Sequence, residues 1–120
     1  MRISVIGCGY LGAVHAACMA ELGHEVVGLD VDERKVADLA AGVAPFHEPR
    51  FPELLARGVE SGRLTFTTDP SQIAGAQIHF IGVGTPQQQG RLGADMSYVD
   101  QAIATIIEHT AVRDDRLPVL

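Results

Sequence analysis

The sequence has only two cysteines, no long apolar run and no cluster of basic residues, and each shortage removes a class of function. Cys8 and Cys18 match no zinc or redox spacing, and two cysteines do not make a disulfide framework. A reduced, cytoplasmic setting is the simplest expectation. No hydrophobic stretch approaches the ~20 residues of a membrane-spanning helix, so no membrane partner is expected. The N-terminus reads as a strand rather than a signal peptide. Lys and Arg number 9 against 15 Asp and Glu, for a formal charge of −6, which argues against a nucleic-acid partner. His15, His24, His47, His79 and His109 pair with no other histidine or cysteine at ligand spacing, so no metal is expected. No serine sits in a G-x-S-x-G context and no nucleophile–base pair is evident, so no catalytic residue is expected within these residues. Repeats and low-complexity tracts are absent.

What is present is a chain of one domain, 120 residues long and 47% hydrophobic, enough for a single core and too apolar for disorder. Its plan is set by the first dozen residues. Ile3 to Ile6 read as a buried strand that breaks into Gly7, Gly9 and Gly12 at G-x-G-x-x-G spacing. A helix is predicted directly afterwards, with Leu11, Val14, Cys18 and Leu22 on one face. Cys8 and Cys18 are then small packing residues, Cys18 on the core-facing stripe.

Each glycine has a physical task. Gly7 lets the chain turn out of the strand, Gly9 lets backbone approach a pyrophosphate, and Gly12 lets the helix lie close to the strand. The helix start offers free N–H groups and the positive end of its dipole to the phosphates. Asp30 ends a second predicted strand (Val26 to Leu29) 21 residues after Gly9, near the ~20 of a ribose-binding carboxylate. The bland alternative is an ordinary βαβ unit with a tight turn. An acidic residue here favours NAD over NADP, an inference that Arg34 weakens slightly.

Farther along, Asp32 is an N-cap for a helix burying Val36, Leu39 and Ala40 and ending at Gly42. Lys35 lies where it can reach back toward a ribose or adenine held by Asp30, although a lone surface lysine is usually just solvated. Residues 43–52 hold three prolines and read as an irregular connection, with His47 beside Glu48 in it. A helix from about Phe51 with Leu54, Leu55 and Val59 inward, a strand at Leu64 to Thr67, and a short turn opened by Asp69-Pro70 complete what reads as an enlarged crossover. His15 and His79 read as packed, hydrogen-bonded residues.

Ile78 to Val83 is the next predicted strand, pairing beside the first, with Gly84 and Thr85 leaving its carboxyl end toward the ligand crevice. A plain Thr-Pro turn is the alternative. Residues 87–96 suggest a mobile loop; Ser97-x-x-Asp100 resembles a capping box for a helix bearing Val99, Ala102, Ile103, Ile106 and Thr110. Residues 113–116 read as a charged turn and 117–120 as the start of a further strand, so the chain is expected to be part of a longer protein. The fold class is α/β: a Rossmann-like, doubly wound, mostly parallel sheet, truncated within or before its later strands.

Met1 to Gly12 followed by Ala20 to Asp30 resembles the start of the UDP-glucose/GDP-mannose dehydrogenase family. Glu48-Pro49, Ser61 to Leu64 with Phe66-Thr67-Thr68, Val83 to Pro86 and Ala94 to Val99 extend the resemblance over essentially the whole chain. It implies that residues 1–120 are an incomplete N-terminal NAD-binding domain. Gly7, Gly9, Tyr10, Leu11 and Gly12 would wrap the pyrophosphate of NAD, Asp30 and Lys35 would serve its ribose, and Val83, Gly84 and Thr85 would line its far side. It further implies oxidation of the C6 hydroxymethyl of a nucleotide sugar to a carboxylate in two NAD-dependent steps, with UDP-glucose giving UDP-glucuronate. GDP-mannose or a UDP-N-acetylhexosamine is the alternative substrate. The family's catalytic cysteine, lysine, asparagine and glutamate, and its dimer-forming helix, would all lie downstream. One departure stands out: Arg50-Phe51 replaces the family's usual Gly-Leu after Glu-Pro, which puts the local loop geometry in question. A non-catalytic dinucleotide-binding module is the competing reading from another class.

Overall fold

The first strand, β1 (Arg2–Ile6), lies between two parallel neighbours and is buried on both faces, which explains its unbroken apolar run. Val5 faces Gly28 of β2 (Glu25–Leu29) on one side and Phe80 of β4 (Ile78–Ile81) on the other. β3 (Leu64–Thr67) pairs parallel with the outer side of β2, giving the order β3-β2-β1-β4. The computed structural model describes residues 1–46, 48–83 and 97–110. The expectations for His47, for Gly84 and Thr85, for the loop 87–96 and for residues 113–120 lie outside the described residues.

Parallel neighbours require crossover connections, and these place helices on both faces of the sheet. On one face α1 (Tyr10–Glu21), α2 (Glu33–Ala40) and α3 (Phe51–Ser61) cover Ile3, Val5, Val26, Leu64 and Phe66. On the other, α4 (Ser97–Thr110) and a 3-10 turn (Pro70–Ile73) cover Ile6 and Leu29 with Ile73, Ala102 and Ile106. The passage expected to be one enlarged crossover is two, because Leu64–Thr67 joins the sheet as β3: α2 and α3 connect β2 to β3 on one face, and the 3-10 turn lies between β3 and β4 on the other. The arrangement is the parallel α/β sheet expected from the sequence.

The buried face of α1 differs from the predicted one. Ala13, Ala16, Ala17 and Ala20 are buried with Gly12, whereas Leu11 and Leu22 are 76% and 71% exposed, and Val14 and Cys18 are half-buried. The helix lies so close to the sheet that only small side chains fit between them, so bulk is displaced to the outside. Ala40 is likewise exposed; the short helix α2 buries only Val36 and Leu39. Asp32 caps α2 as expected, accepting from the N–H groups of Arg34 and Lys35, both at 3.1 Å. Asp69 accepts from Ser71 N–H at 3.0 Å, and this bonding with the Ser71 hydroxyl holds its carboxyl below the usual carboxylate range.

The two buried polar side chains of the sheet satisfy each other in part. Ser4 Oγ and His79 Nδ1 lie 2.6 Å apart, while His79 Nε2 is buried without a partner and burial lowers the imidazole pKa. His15 departs from expectation: its Nε2 is buried with no hydrogen bond, and its ring packs edge-on against Phe80, centroids 4.3 Å apart.

Candidate functional site

The carboxyl ends of β1, β2 and β4 meet at the glycine turn. Gly7 adopts φ +93°, a conformation that side chains rarely take, and donates its N–H to Leu29 O at 2.8 Å. A Cβ on Gly12 would stand 1.9 Å from Gly7 O, and one on Gly7 would stand 2.7 Å from Val83 N. These two glycines are thus demanded by the chain's own packing. Gly9 is different: it sits at φ −70° as the residue preceding α1, and a Cβ there would meet nothing within 4 Å. The turn presents this open side to solvent.

Asp32 and Asp69 close the helical segments they precede with side-chain hydrogen bonds, but the start of α1 has no side-chain cap. The first intrahelical bond runs from Ala13 N–H to Gly9 O at 2.9 Å. The N–H groups of Tyr10, Leu11 and Gly12 consequently have no acceptor one turn back, and the helix dipole adds positive potential at the same place.

Asp30 follows β2, with its side chain only 10% exposed. Its Oδ2 accepts the Cys8 backbone N–H at 2.8 Å and its Oδ1 accepts the Asp32 N–H at 3.0 Å. Lys35 Nζ lies 3.6 Å from Oδ2. Cys8 is fully buried, and its thiol is pushed up to about 12, first by burial and then by the negative charge of Asp30. It is a packing residue, as expected, and not a nucleophile.

A cavity of about 380 Å³, within the size range of small-molecule sites, opens beside these groups. Gly7, Gly9, Asp30, Lys35 and Val83 line it, so the fold brings together five of the ten residues singled out from the sequence. Leu11 and Gly12 line a different cavity of about 430 Å³, with His15 and Phe80, on the α1 side of the sheet. Tyr10 lines neither; its hydroxyl donates to Glu48 Oε2. Gly84 and Thr85 fall among the residues not described.

Sequence reasoning missed the opposite wall. Tyr98, Gln101, Ala102 and Thr105 of α4 face the cavity at i, i+3, i+4 and i+7, a helical face that their spacing could have revealed. Val31, 95% exposed directly after Asp30, lines it as well. No group of three acidic, histidine or cysteine side chains suited to a metal occurs among the described residues. No helix among them is long and apolar enough to cross a membrane. At the Arg50-Phe51 departure, Arg50 takes φ −106° and ψ −10°, which needs no glycine, and Phe51 is buried at the start of α3.

Residues 1–116 match the NAD-binding domain of the UDP-glucose/GDP-mannose dehydrogenase family. The chain belongs to that family. NAD is the cofactor of this domain. The chain is 45% identical over 107 residues to the UDP-glucose 6-dehydrogenase of Rhizobium meliloti, covering 88% of the chain and 24% of that protein. It is 46% identical over 109 residues to a UDP-glucose 6-dehydrogenase of Bacillus subtilis, covering 90% of the chain and 23% of that protein. A crystal structure of GDP-mannose dehydrogenase from Pseudomonas aeruginosa superposes with a TM-score of 0.94 at 37% identity, covering 99% of the chain and 27% of that one. The chain therefore spans about a quarter of the length of these relatives.

Proposed function

We propose that the chain is the cofactor-binding part of an NAD-dependent nucleotide-sugar 6-dehydrogenase whose whole protein oxidises UDP-glucose to UDP-glucuronate. The observation that carries this reading is the placement on one cavity of the nearly buried Asp30 carboxylate and Gly9, the residue that precedes the uncapped start of α1. A dinucleotide needs a diphosphate site and a diol acceptor at adjoining positions, and the chain supplies both. The N–H groups of Tyr10, Leu11 and Gly12 hold the diphosphate against the open side of Gly9. Asp30, whose oxygens each retain a lone pair after their backbone contacts, accepts the ribose hydroxyls. Its charge repels the extra phosphate of NADP, while Lys35 keeps the carboxylate oriented. Val83, with Gly84 and Thr85 after it, lines the far side of the cofactor.

NAD, when bound, supplies a hydride acceptor. This chain's own part is to bind and orient it. The nucleophilic and acid–base groups for sugar oxidation belong to the remainder of the full-length protein, which we propose acts in the cytoplasm as a homodimer and feeds polysaccharide synthesis. UDP-glucose is preferred as substrate because both curated relatives described above bear that name.

The test is an assay of the full-length protein with NAD and, separately, UDP-glucose, GDP-mannose and UDP-N-acetylglucosamine. Two NADH formed per UDP-glucose is the expected result. Faster turnover of either other sugar nucleotide would replace the substrate, and no NAD reduction with any of them would refute the enzymatic reading.

A further inference from the structure

The turn before α1 is held on one flank by Asp30, through Cys8 N–H. Its other flank is held by Tyr10, the residue immediately after Gly9. The Tyr10 hydroxyl donates to Glu48 Oε2 in the connection between α2 and α3. Its ring packs on Phe46, centroids 5.1 Å apart, and Phe46 stacks on Phe51 at 4.9 Å. Phe51 is fully buried at the start of α3, and α3 packs along α1. A continuous line of rings thus runs from the first residue of α1 into the core.

We propose that Tyr10 is a positioning residue for the diphosphate: its bond to Glu48 and its packing on Phe46 fix the first turn of α1 so that the Tyr10, Leu11 and Gly12 N–H groups stay aimed at the ligand. The inference rests on the dinucleotide reading above and adds Glu48 and Phe46, which lie outside the cavity, to the groups that set cofactor affinity. The physical reason is local. Gly9 carries no side chain to pack, and the helix start has no side-chain cap to hold it. A cradle that must be ordered on each binding event loses that ordering entropy from its affinity, whereas one held in advance does not. The bond to the Glu48 carboxylate raises the phenol pKa above its ordinary value, which keeps the proton on Tyr10.

The experiment compares ADP, which carries the diphosphate, with adenosine, which lacks it, by calorimetric titration of the protein and of Tyr10→Phe, Glu48→Ala, Glu48→Gln and the Tyr10→Phe/Glu48→Ala double variant. Tyr10→Phe keeps the ring packing and removes only the donor. Tyr10→Phe and Glu48→Ala are each expected to weaken ADP about five-fold, the double variant no more than either, with adenosine binding unchanged. Glu48→Gln, which keeps an acceptor oxygen, is expected to restore most of the affinity. ADP affinity unaltered in Tyr10→Phe, or adenosine and ADP weakened alike, would overturn the positioning role while leaving the dinucleotide site standing. Failure of the unmutated protein to bind ADP at all would instead remove the reading on which it rests.

Discussion

The backbone N–H of Cys8 donates to Asp30 Oδ2 at 2.8 Å, so the carboxylate that follows β2 also holds the turn that follows β1. One side chain thereby connects two parts of the cavity lining, the turn after β1 and the end of β2. Lys35 Nζ, 3.6 Å from the same oxygen, balances its charge.

Asp30→Ala is expected to harm both folding and binding. It strands the Cys8 N–H and leaves Lys35 without its partner, for a loss of about 1–3 kcal/mol. Asp30→Asn keeps an oxygen for Cys8 and should retain most of the stability, yet bind NAD more weakly than the original chain. Urea midpoints together with NAD titrations of the two variants separate these effects. Equal loss of stability in both would show that the charge, not the acceptor oxygen, matters to the turn.

Gly9→Ala and Gly12→Ala should fail for opposite reasons. A Cβ at Gly12 would stand 1.9 Å from Gly7 O, a backbone atom that cannot yield without moving α1 off the sheet. A cost of about 3 kcal/mol or more, visible in the thermal midpoint, is expected. At Gly9 the chain has room and φ is ordinary, so stability should change by less than about 1 kcal/mol, while NAD affinity falls because the methyl occupies the ligand side.

The two thiols should label in two regimes. Cys18 is half-buried, whereas Cys8 is fully buried with its thiol pushed up to about 12. A disulfide reagent at pH 8 should modify Cys18 in the folded chain and reach Cys8 only in denaturant. Rapid native labelling of both, followed by peptide mapping, would contradict the burial of the turn.

His79 gives a pH dependence whose sign is fixed. Its folded-state pKa is depressed by burial, so below the ordinary value of about 6.5 the unfolded chain binds a proton that the folded chain resists. Stability should therefore be flat above that pH and fall below it, by at most about 1.4 kcal/mol per pH unit. The fall should shrink in His79→Gln. An unfolding free energy independent of pH between 6.5 and 5, measured in urea, would mean that the imidazole accepts its proton in place.

Much of this organisation was legible because it is local. Gly7, Gly12, Asp30 and Lys35 are fixed by the geometry of one strand–turn–helix–strand unit, and their spacing along the chain carries that geometry. The face of α1 was not legible, because hydrophobic bulk and burial part company there. Where a helix lies close on a sheet, Ala13, Ala16, Ala17 and Ala20 are chosen for smallness, and Leu11 and Leu22 are turned outward. The Tyr10–Glu48 bond joins residues 38 apart, and nothing in the pattern of either segment announces the other. The α4 wall of the cavity lay between these cases: Tyr98, Gln101, Ala102 and Thr105 do share a helical face, but that face becomes meaningful only once α4 is placed over the ends of β1 and β2.

The most direct test of the central claim is an amide chemical-shift titration of the isotope-labelled chain with NAD. The largest changes are expected on the N–H groups of Gly9, Tyr10, Leu11 and Gly12 and on those around Asp30. Saturable shifts confined to other surfaces, with residues 7–12 and Asp30 unmoved, would contradict it.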